Sequence, residues 1–76
     1  MITEHASVVL TENLPAAGLE AGDVSATVHI HRNGEAYEVE FMTLDGGTLT
    51  IQTLEARQIR AVGNLDIPYV RERITA

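Results

Sequence analysis

Cysteine is absent from the sequence. Without thiols the chain cannot form disulfides, use a thiolate nucleophile or build a cysteine-based zinc or iron–sulfur site. The fold of these 76 residues must therefore be held by packing alone, and a chain of this length has room for one small core in one domain.

Long apolar runs are also missing. No segment approaches the roughly 18 consecutive apolar residues that a membrane-spanning helix requires. The N-terminal stretch MITEHASVVL has neither the basic region nor the apolar region of a signal peptide. We therefore expect a cytoplasmic protein that makes no contact with a membrane.

Positive charge and aromatic residues are scarce. The formal net charge is −6, and Phe41, Tyr37 and Tyr69 are the aromatic residues. Nucleic-acid affinity depends largely on cationic side chains that neutralise phosphates, and RNA-binding barrels add stacking aromatics. Nucleic acid is therefore an unlikely partner.

The charge is unevenly distributed along the chain. Residues 1–55 carry nine acidic side chains against Arg32, a balance of −8. Residues 56–76 carry four arginines against two acidic side chains, a balance of +2. The sequence therefore describes an acidic body with a basic end.

Catalytic motifs are missing as well. The glycines are isolated turn residues that match no phosphate-binding loop, and Ser7 and Ser25 lack the glycines of a nucleophile elbow. Glu38 and Glu40 could serve in acid–base chemistry only if an apolar pocket raised one pKa, and their spacing is typical of a solvated strand face. We expect no enzyme activity, no catalytic residue and no cofactor.

The pattern that is present has a period of two, with β-branched residues and regularly spaced turns. It predicts an all-β domain of five strands that curl into a small barrel over residues 1–62, followed by a tail over 63–76. Four strands are predicted at 7–11, 24–32, 48–54 and 58–62, with one more directly after Asn33-Gly34.

Asn33-Gly34 is the dipeptide best suited to a type I′ hairpin turn, in which both central residues have positive φ. A two-residue turn there predicts the pairs Ile30–Tyr37, His29–Glu38, Val28–Val39, Thr27–Glu40 and Ala26–Phe41. The predicted core face then holds Ala26, Val28, Ile30, Tyr37, Val39 and Phe41, and the outer face holds Thr27, His29, Glu38 and Glu40.

The next turn, Asp45-Gly46-Gly47, is predicted to be a three-residue loop with a glycine in the left-handed region. That loop sets Phe41 opposite Ile51 and Thr43 opposite Leu49, so that apolar side chains share a face.

Two histidines and two carboxylates lie on the predicted outer face. His29 and Glu38 are direct cross-strand neighbours, and His31 and Glu40 lie on the diagonals. Such a set can bind a metal ion, but it can equally be a solvated face with weak charge pairs. The sequence favours the second interpretation, with no metal, because it offers no further fixed ligand for tetrahedral coordination. These four residues are candidates for an interaction surface.

The tail, GNLDIPYVRERITA, can continue in two ways. Asp66 could cap a short helix with Pro68 in its first turn, or the segment could form an extra strand. Its apolar residues, Ile67, Tyr69, Val70 and Ile74, predict that it packs, either on its own barrel or on a second copy in a homodimer. Tyr69, Arg71 and Arg73 therefore join the candidate interaction surface.

Four segments, VVLTENLP, GLEAGDV, GEAYEVEF and TLEARQIR, carry a family resemblance over residues 8–62. In their order and spacing they resemble the small bacterial family catalogued as domain of unknown function 4926. The resemblance implies an SH3-like β-barrel, similar in layout to KOW-type domains. Ser25 and Ala26 depart from it, since Gly-Thr is usual there.

These observations indicate a small protein-interaction module, and they leave its partner open. One alternative is an antitoxin or immunity-type protein that neutralises a neighbouring gene's product, because an acidic surface can mimic phosphate. Another is self-association in a homodimer. The KOW-like layout leaves weak nucleic-acid binding as a further alternative.

Overall fold

The computed structural model of the protein describes residues 2–72 and contains one sheet of five antiparallel strands. The all-β prediction is confirmed, and each strand end that the sequence predicted lies within one residue of the observed end. The strands are β1 (Ser7–Leu10), β2 (Val24–His31), β3 (Ala36–Met42), β4 (Thr48–Glu55) and β5 (Ile59–Ala61), with 3₁₀ turns at Pro15–Ala17 and Ala56–Gln58.

The sheet is not closed into the predicted barrel. Its strand order is β4-β3-β2-β1-β5, and no ladder joins β4 to β5 in the part of the chain that the structure describes. Closure fails because β5 has only three residues, all of which pair with β1. The order remains consistent with the SH3-like layout that the family resemblance implies.

The core lies on one face of the sheet and is covered by the loop before β2. Leu14 and Leu19 pair across the 3₁₀ turn in this loop, so that Leu19 reaches the core. The buried core side chains are Val8, Leu10, Leu19, Tyr37, Val39, Phe41, Leu54 and Ile59.

The β2–β3 turn confirms part of the predicted register. Asn33 and Gly34 have φ values of 57° and 100°, the signs that a type I′ turn requires. Arg32 also has a positive φ of 48°, and the ladder ends at the pair His31–Ala36, so the turn spans the four residues 32–35 rather than two. The predicted pairs Ile30–Tyr37 and His29–Glu38 are present.

The other three predicted pairs, Val28–Val39, Thr27–Glu40 and Ala26–Phe41, are wrong. A β-bulge at Val28 shifts the register, so that Thr27 pairs with Val39 and Ala26 with Glu40. Thr27, predicted on the outer face, is fully buried, whereas the predicted core residues Ala26 and Val28 are half-buried.

Hydrogen bonds to the N-terminal turn explain the burial of Thr27. Its hydroxyl donates to the carbonyl oxygen of Thr3 at 2.6 Å and accepts from the backbone N–H of Ala6 at 3.2 Å. The backbone N–H of His5 also donates to the carbonyl of Thr27, at 2.7 Å. A buried hydroxyl is tolerated when it is hydrogen-bonded, and here it fastens residues 3–6 to the sheet.

The register of the β3–β4 hairpin also differs from the prediction. Phe41 pairs with Thr50 rather than Ile51, and Met42 pairs with Thr48, which leaves Leu49 in a bulge. The predicted pair of Thr43 with Leu49 is therefore wrong. The turn has three residues, as predicted, but they are Leu44, Asp45 and Gly46, one position earlier than expected, because the N–H of Thr43 donates to the carbonyl of Gly47 at 3.0 Å.

The tail is neither the predicted helix nor an extra strand within residues 63–72. Asp66 does not cap a helix; its carboxylate accepts hydrogen bonds from the N–H of Gly63 and from both terminal nitrogens of Arg60. Arg73 and Ile74 lie outside the described residues. No helix within residues 2–72 has the length and hydrophobicity to traverse a bilayer.

Candidate functional site

The tail is fastened to the loop before β2 by Arg71. Its Nε and Nη2 atoms donate to the two carboxylate oxygens of Asp23 at 2.8 and 2.7 Å, and Nη2 also donates to the carbonyl of Gly18 at 3.0 Å. The hydrogen bond from Arg71 holds the pKa of Asp23 below its ordinary value, although burial opposes this shift. The pKa of Arg71 is raised by the same contact, so both groups stay charged at neutral pH.

This attachment creates a groove of about 330 Å³ between the tail and the end of the β3–β4 hairpin. Leu19 and Phe41, which are buried core residues, lie at its base. The other side chains that line it are Asp23, Val24, Met42, Thr43, Leu44, Leu49, Tyr69, Val70 and Arg71. The groove is therefore predominantly apolar.

The rim of the groove exposes several large apolar side chains. Leu44 is 93% exposed, Tyr69 70% and Val70 74%, and Met42 and Val24 are about half exposed. A contiguous exposed apolar surface on a small protein usually marks a binding site.

Leu44 is held in solvent by a closed turn. The Asp45 carboxylate accepts hydrogen bonds from the hydroxyl of Thr43 and, at 3.1 Å, from the N–H of Gly47. The bond from Thr43 is also the main cause of a lowered pKa of Asp45. Gly46 takes the positive φ of 90° that was predicted for a glycine of this turn. The turn thus fixes the backbone on both sides of Leu44.

A second group of candidate residues lies on the outer face, at the other end of β3. His31 Nε2 is 3.2 Å from Glu38 Oε2, and the rings of His29 and His31 are 4.5 Å apart in an edge-to-face arrangement. One ligand atom from each of His29, His31 and Glu38 lies within 4.8 Å of the others. Glu40 is not part of this cluster, because it accepts a hydrogen bond from the Thr48 hydroxyl at 2.5 Å.

The N-terminal turn brings one more carboxylate to this face. Glu4 Oε2 lies 3.8 Å from His29 Nδ1. The turn that carries Glu4 is fixed by Thr27, which is adjacent to the Val28 bulge and so lies close to His29 in the strand.

The candidate residues chosen from the sequence therefore fall into two places. His29, His31 and Glu38 lie together on the outer face, Tyr69 and Arg71 line the groove, and Arg73 is outside the described residues. Sequence reasoning missed Val24, Met42 and Leu44 on the groove rim. One signal was available, because Leu44 is a large apolar residue in a turn otherwise made of threonine, aspartate and glycine.

Comparison with known proteins gives one match. The model of a family described as Domain of unknown function (DUF4926) matches residues 4–61, which include all five strands. No curated protein and no solved structure matches the chain.

Proposed function

The chain belongs to the DUF4926 family, and we propose that it is a protein-interaction module that binds its partner in the groove between the tail and the β3–β4 turn. The description of the family names no activity, so the proposal depends on the surface of this chain. It includes no catalytic step.

The observation that carries the proposal is the exposure of Leu44. Because Leu44 is 93% exposed, its side chain contributes little to the stability of the free protein. The turn that carries it is nevertheless closed by side-chain hydrogen bonds. An apolar side chain on a rigid turn loses little conformational entropy on binding, and this favours its use as an anchor.

The surface also indicates the chemistry of the partner. The groove is apolar, so the partner should insert an apolar side chain. The protein carries a net charge of −6, so basic residues around that side chain would be attracted and would speed association. A basic effector neutralised by an antitoxin or immunity-type protein would have these properties.

Nucleic acid is the less favoured partner. Arg57 is paired with Glu12 and Glu55, Arg60 with Asp66, and Arg71 with Asp23. These guanidinium groups are occupied by carboxylates of the same chain, so a phosphate would have to displace them.

The proposal is tested by cross-linked capture from the source organism, quantified by mass spectrometry for the wild type and for Leu44→Asp. The matched control is Leu65→Asp, since Leu65 is 97% exposed and does not line the groove. We expect a protein that is captured by the wild type and by the control but lost with Leu44→Asp. Capture that is insensitive to Leu44→Asp would contradict the proposal.

A second copy of the chain is a second candidate partner. It is favoured by the tail, where Leu65 and Ile67 are 97% and 89% exposed in addition to the apolar side chains on the groove rim. Light scattering on the wild type and on a variant that lacks residues 65–76 distinguishes the two. A wild-type dimer that becomes a monomer on removal of residues 65–76 would place a homodimer interface in the tail, whereas a wild-type monomer excludes it.

A further inference from the structure

We propose that His29, His31 and Glu38 form a binding site for a divalent transition-metal ion, with Zn²⁺ as the best-matched ion. The site lies on the outer face of the sheet and does not depend on the function proposed for the groove. The sequence alone favoured a solvated face without a metal, and the arrangement of the three side chains is the reason to propose the opposite.

The backbone of two paired strands fixes the positions of the three ligands. His29 and His31 are two residues apart on β2, so their side chains point to the same face of the sheet. Glu38 is the direct cross-strand partner of His29 on β3. The turn over residues 32–35 closes this end of the hairpin, and the three ligands lie between that turn and the Val28 bulge.

The distances between the ligand atoms are close to those found around a bound zinc ion. Zinc bonds of about 2.0–2.2 Å in tetrahedral geometry place ligand atoms roughly 3.4 Å apart. His31 Nε2 and Glu38 Oε2, at 3.2 Å, already have this separation. The ligand atoms of the whole cluster lie within 4.8 Å of one another, so the required contraction is within the reach of a side-chain rotation.

The donor atoms select the class of ion. Two imidazole nitrogens and one carboxylate oxygen suit Zn²⁺, Co²⁺, Ni²⁺ or Cu²⁺, whereas Mg²⁺ and Ca²⁺ prefer oxygen ligands alone. The side chains of the three ligands are 38% to 53% exposed. Water can therefore occupy the fourth position of a tetrahedral site.

Glu4 is placed to support the site from outside. Histidines that bind a metal through one ring nitrogen usually donate a hydrogen bond from the other nitrogen to a carboxylate or carbonyl. Glu4 Oε2 lies 3.8 Å from His29 Nδ1, longer than a hydrogen bond; metal binding through Nε2 of that ring would leave Nδ1 free to donate to Glu4 once this distance shortens. The buried hydroxyl of Thr27 holds the turn that carries Glu4, so we assign Glu4 a positioning role.

The test is a calorimetric titration of the full chain, without a histidine tag and freed of metal, with ZnCl₂. We expect one site with a dissociation constant in the micromolar range or below. Affinity should fall at least ten-fold in His31→Ala and in Glu38→Gln. The matched controls are His5→Ala and Glu40→Gln, a histidine and a carboxylate outside the cluster, which should bind as the wild type does.

Cobalt provides an independent reading of the coordination. Co²⁺ in a tetrahedral site with nitrogen and oxygen ligands should give visible absorption bands in the wild type and in His5→Ala but not in His31→Ala. Glu4→Gln should weaken zinc binding by less than the ligand substitutions do and leave the stoichiometry at one. An absence of saturable binding up to millimolar zinc, equal losses in the controls, or displacement of zinc by millimolar Mg²⁺ would each overturn the proposal.

Discussion

Two irregular segments lie against the sheet, and they are attached by different chemistry. The N-terminal turn over residues 3–6 is held by backbone groups and the buried hydroxyl of Thr27. The tail over residues 63–72 is attached by the ion pairs of Asp66 with Arg60 and of Arg71 with Asp23, while its apolar side chains remain largely exposed.

The chemistry of each attachment determines whether the segment can detach from the rest of the protein. Neutral hydrogen bonds to a fully buried hydroxyl do not weaken when salt is added, and they involve no group that titrates near neutral pH. A partly exposed ion pair depends on both. The N-terminal turn therefore acts as a permanent part of the fold, whereas the tail is attached in a way that solution conditions can reverse.

Among the substitutions that test this comparison, Thr27→Val should lower the free energy of unfolding most. Valine has nearly the same shape but removes the hydroxyl, so that the carbonyl of Thr3 and the N–H of Ala6 keep only their mutual hydrogen bond of 3.2 Å. The free energy of unfolding should fall by about 2 kcal/mol, measured by urea denaturation. Thr53→Val is the matched control, because Thr53 is exposed on β4. An equal loss in both variants would mean that the hydroxyl of Thr27 does not hold the turn.

Arg71→Gln should have a smaller effect on global stability and a larger one on the tail. We expect a loss of about 1 kcal/mol, because the ion pair is bidentate but partly solvated. The heteronuclear ¹⁵N NOE of residues 69–72 should fall while that of the N-terminal turn stays unchanged. The control is Arg57→Gln, whose ion pairs do not involve the tail. An unchanged NOE in the tail of Arg71→Gln would show that other contacts fix it.

Acid should release the tail before it affects the N-terminal turn. The pKa of Asp23 is lowered from 3.8 in the folded protein, chiefly by the hydrogen bond from Arg71. The native state therefore binds fewer protons at this group than the unfolded state does, and the stabilisation is present above pH 3.8 and lost as the pH falls through the lowered pKa.

The measurement for this prediction is the difference in unfolding free energy between the wild type and Asp23→Asn as a function of pH. The difference should be constant near neutral pH and shrink below about pH 4. Asp66, whose pKa is lowered to about 2 by its hydrogen bonds from Arg60, titrates equally in both proteins and cancels. A difference independent of pH would contradict the role of the Asp23 carboxylate.

The sequence predicted the fold where local chemistry decides it. Asn33-Gly34 requires positive φ, and this requirement set the register of His29 and Ile30 correctly. The prediction failed at Thr27, because a polar residue in a strand is normally assigned to the solvent face. Its hydrogen-bond partner Thr3 lies 24 residues away, and no periodic pattern reports such a contact.

The candidate sites show the same division. The pairing of His29 with Glu38 followed from the turn, so the outer cluster could be predicted. The attachment of Arg71 to Asp23 spans 48 residues, and only the opposite charges of the body and the basic end hinted at it. Leu44 was missed because the turn holds Leu44, Asp45 and Gly46 and so begins one residue earlier than the sequence predicted.

The bulge at Val28 marks a position where the chain can lose one residue without a change of register elsewhere. Thr27 faces the core and pairs with Val39, while His29 faces outward and pairs with Glu38, its neighbour on β3. If Val28 were deleted, Thr27 and His29 would become consecutive residues of an uninterrupted ladder, with every other pair kept. Position 28 is thus a natural point of insertion or deletion, where a relative one residue shorter could retain both the buried threonine and the outer histidines.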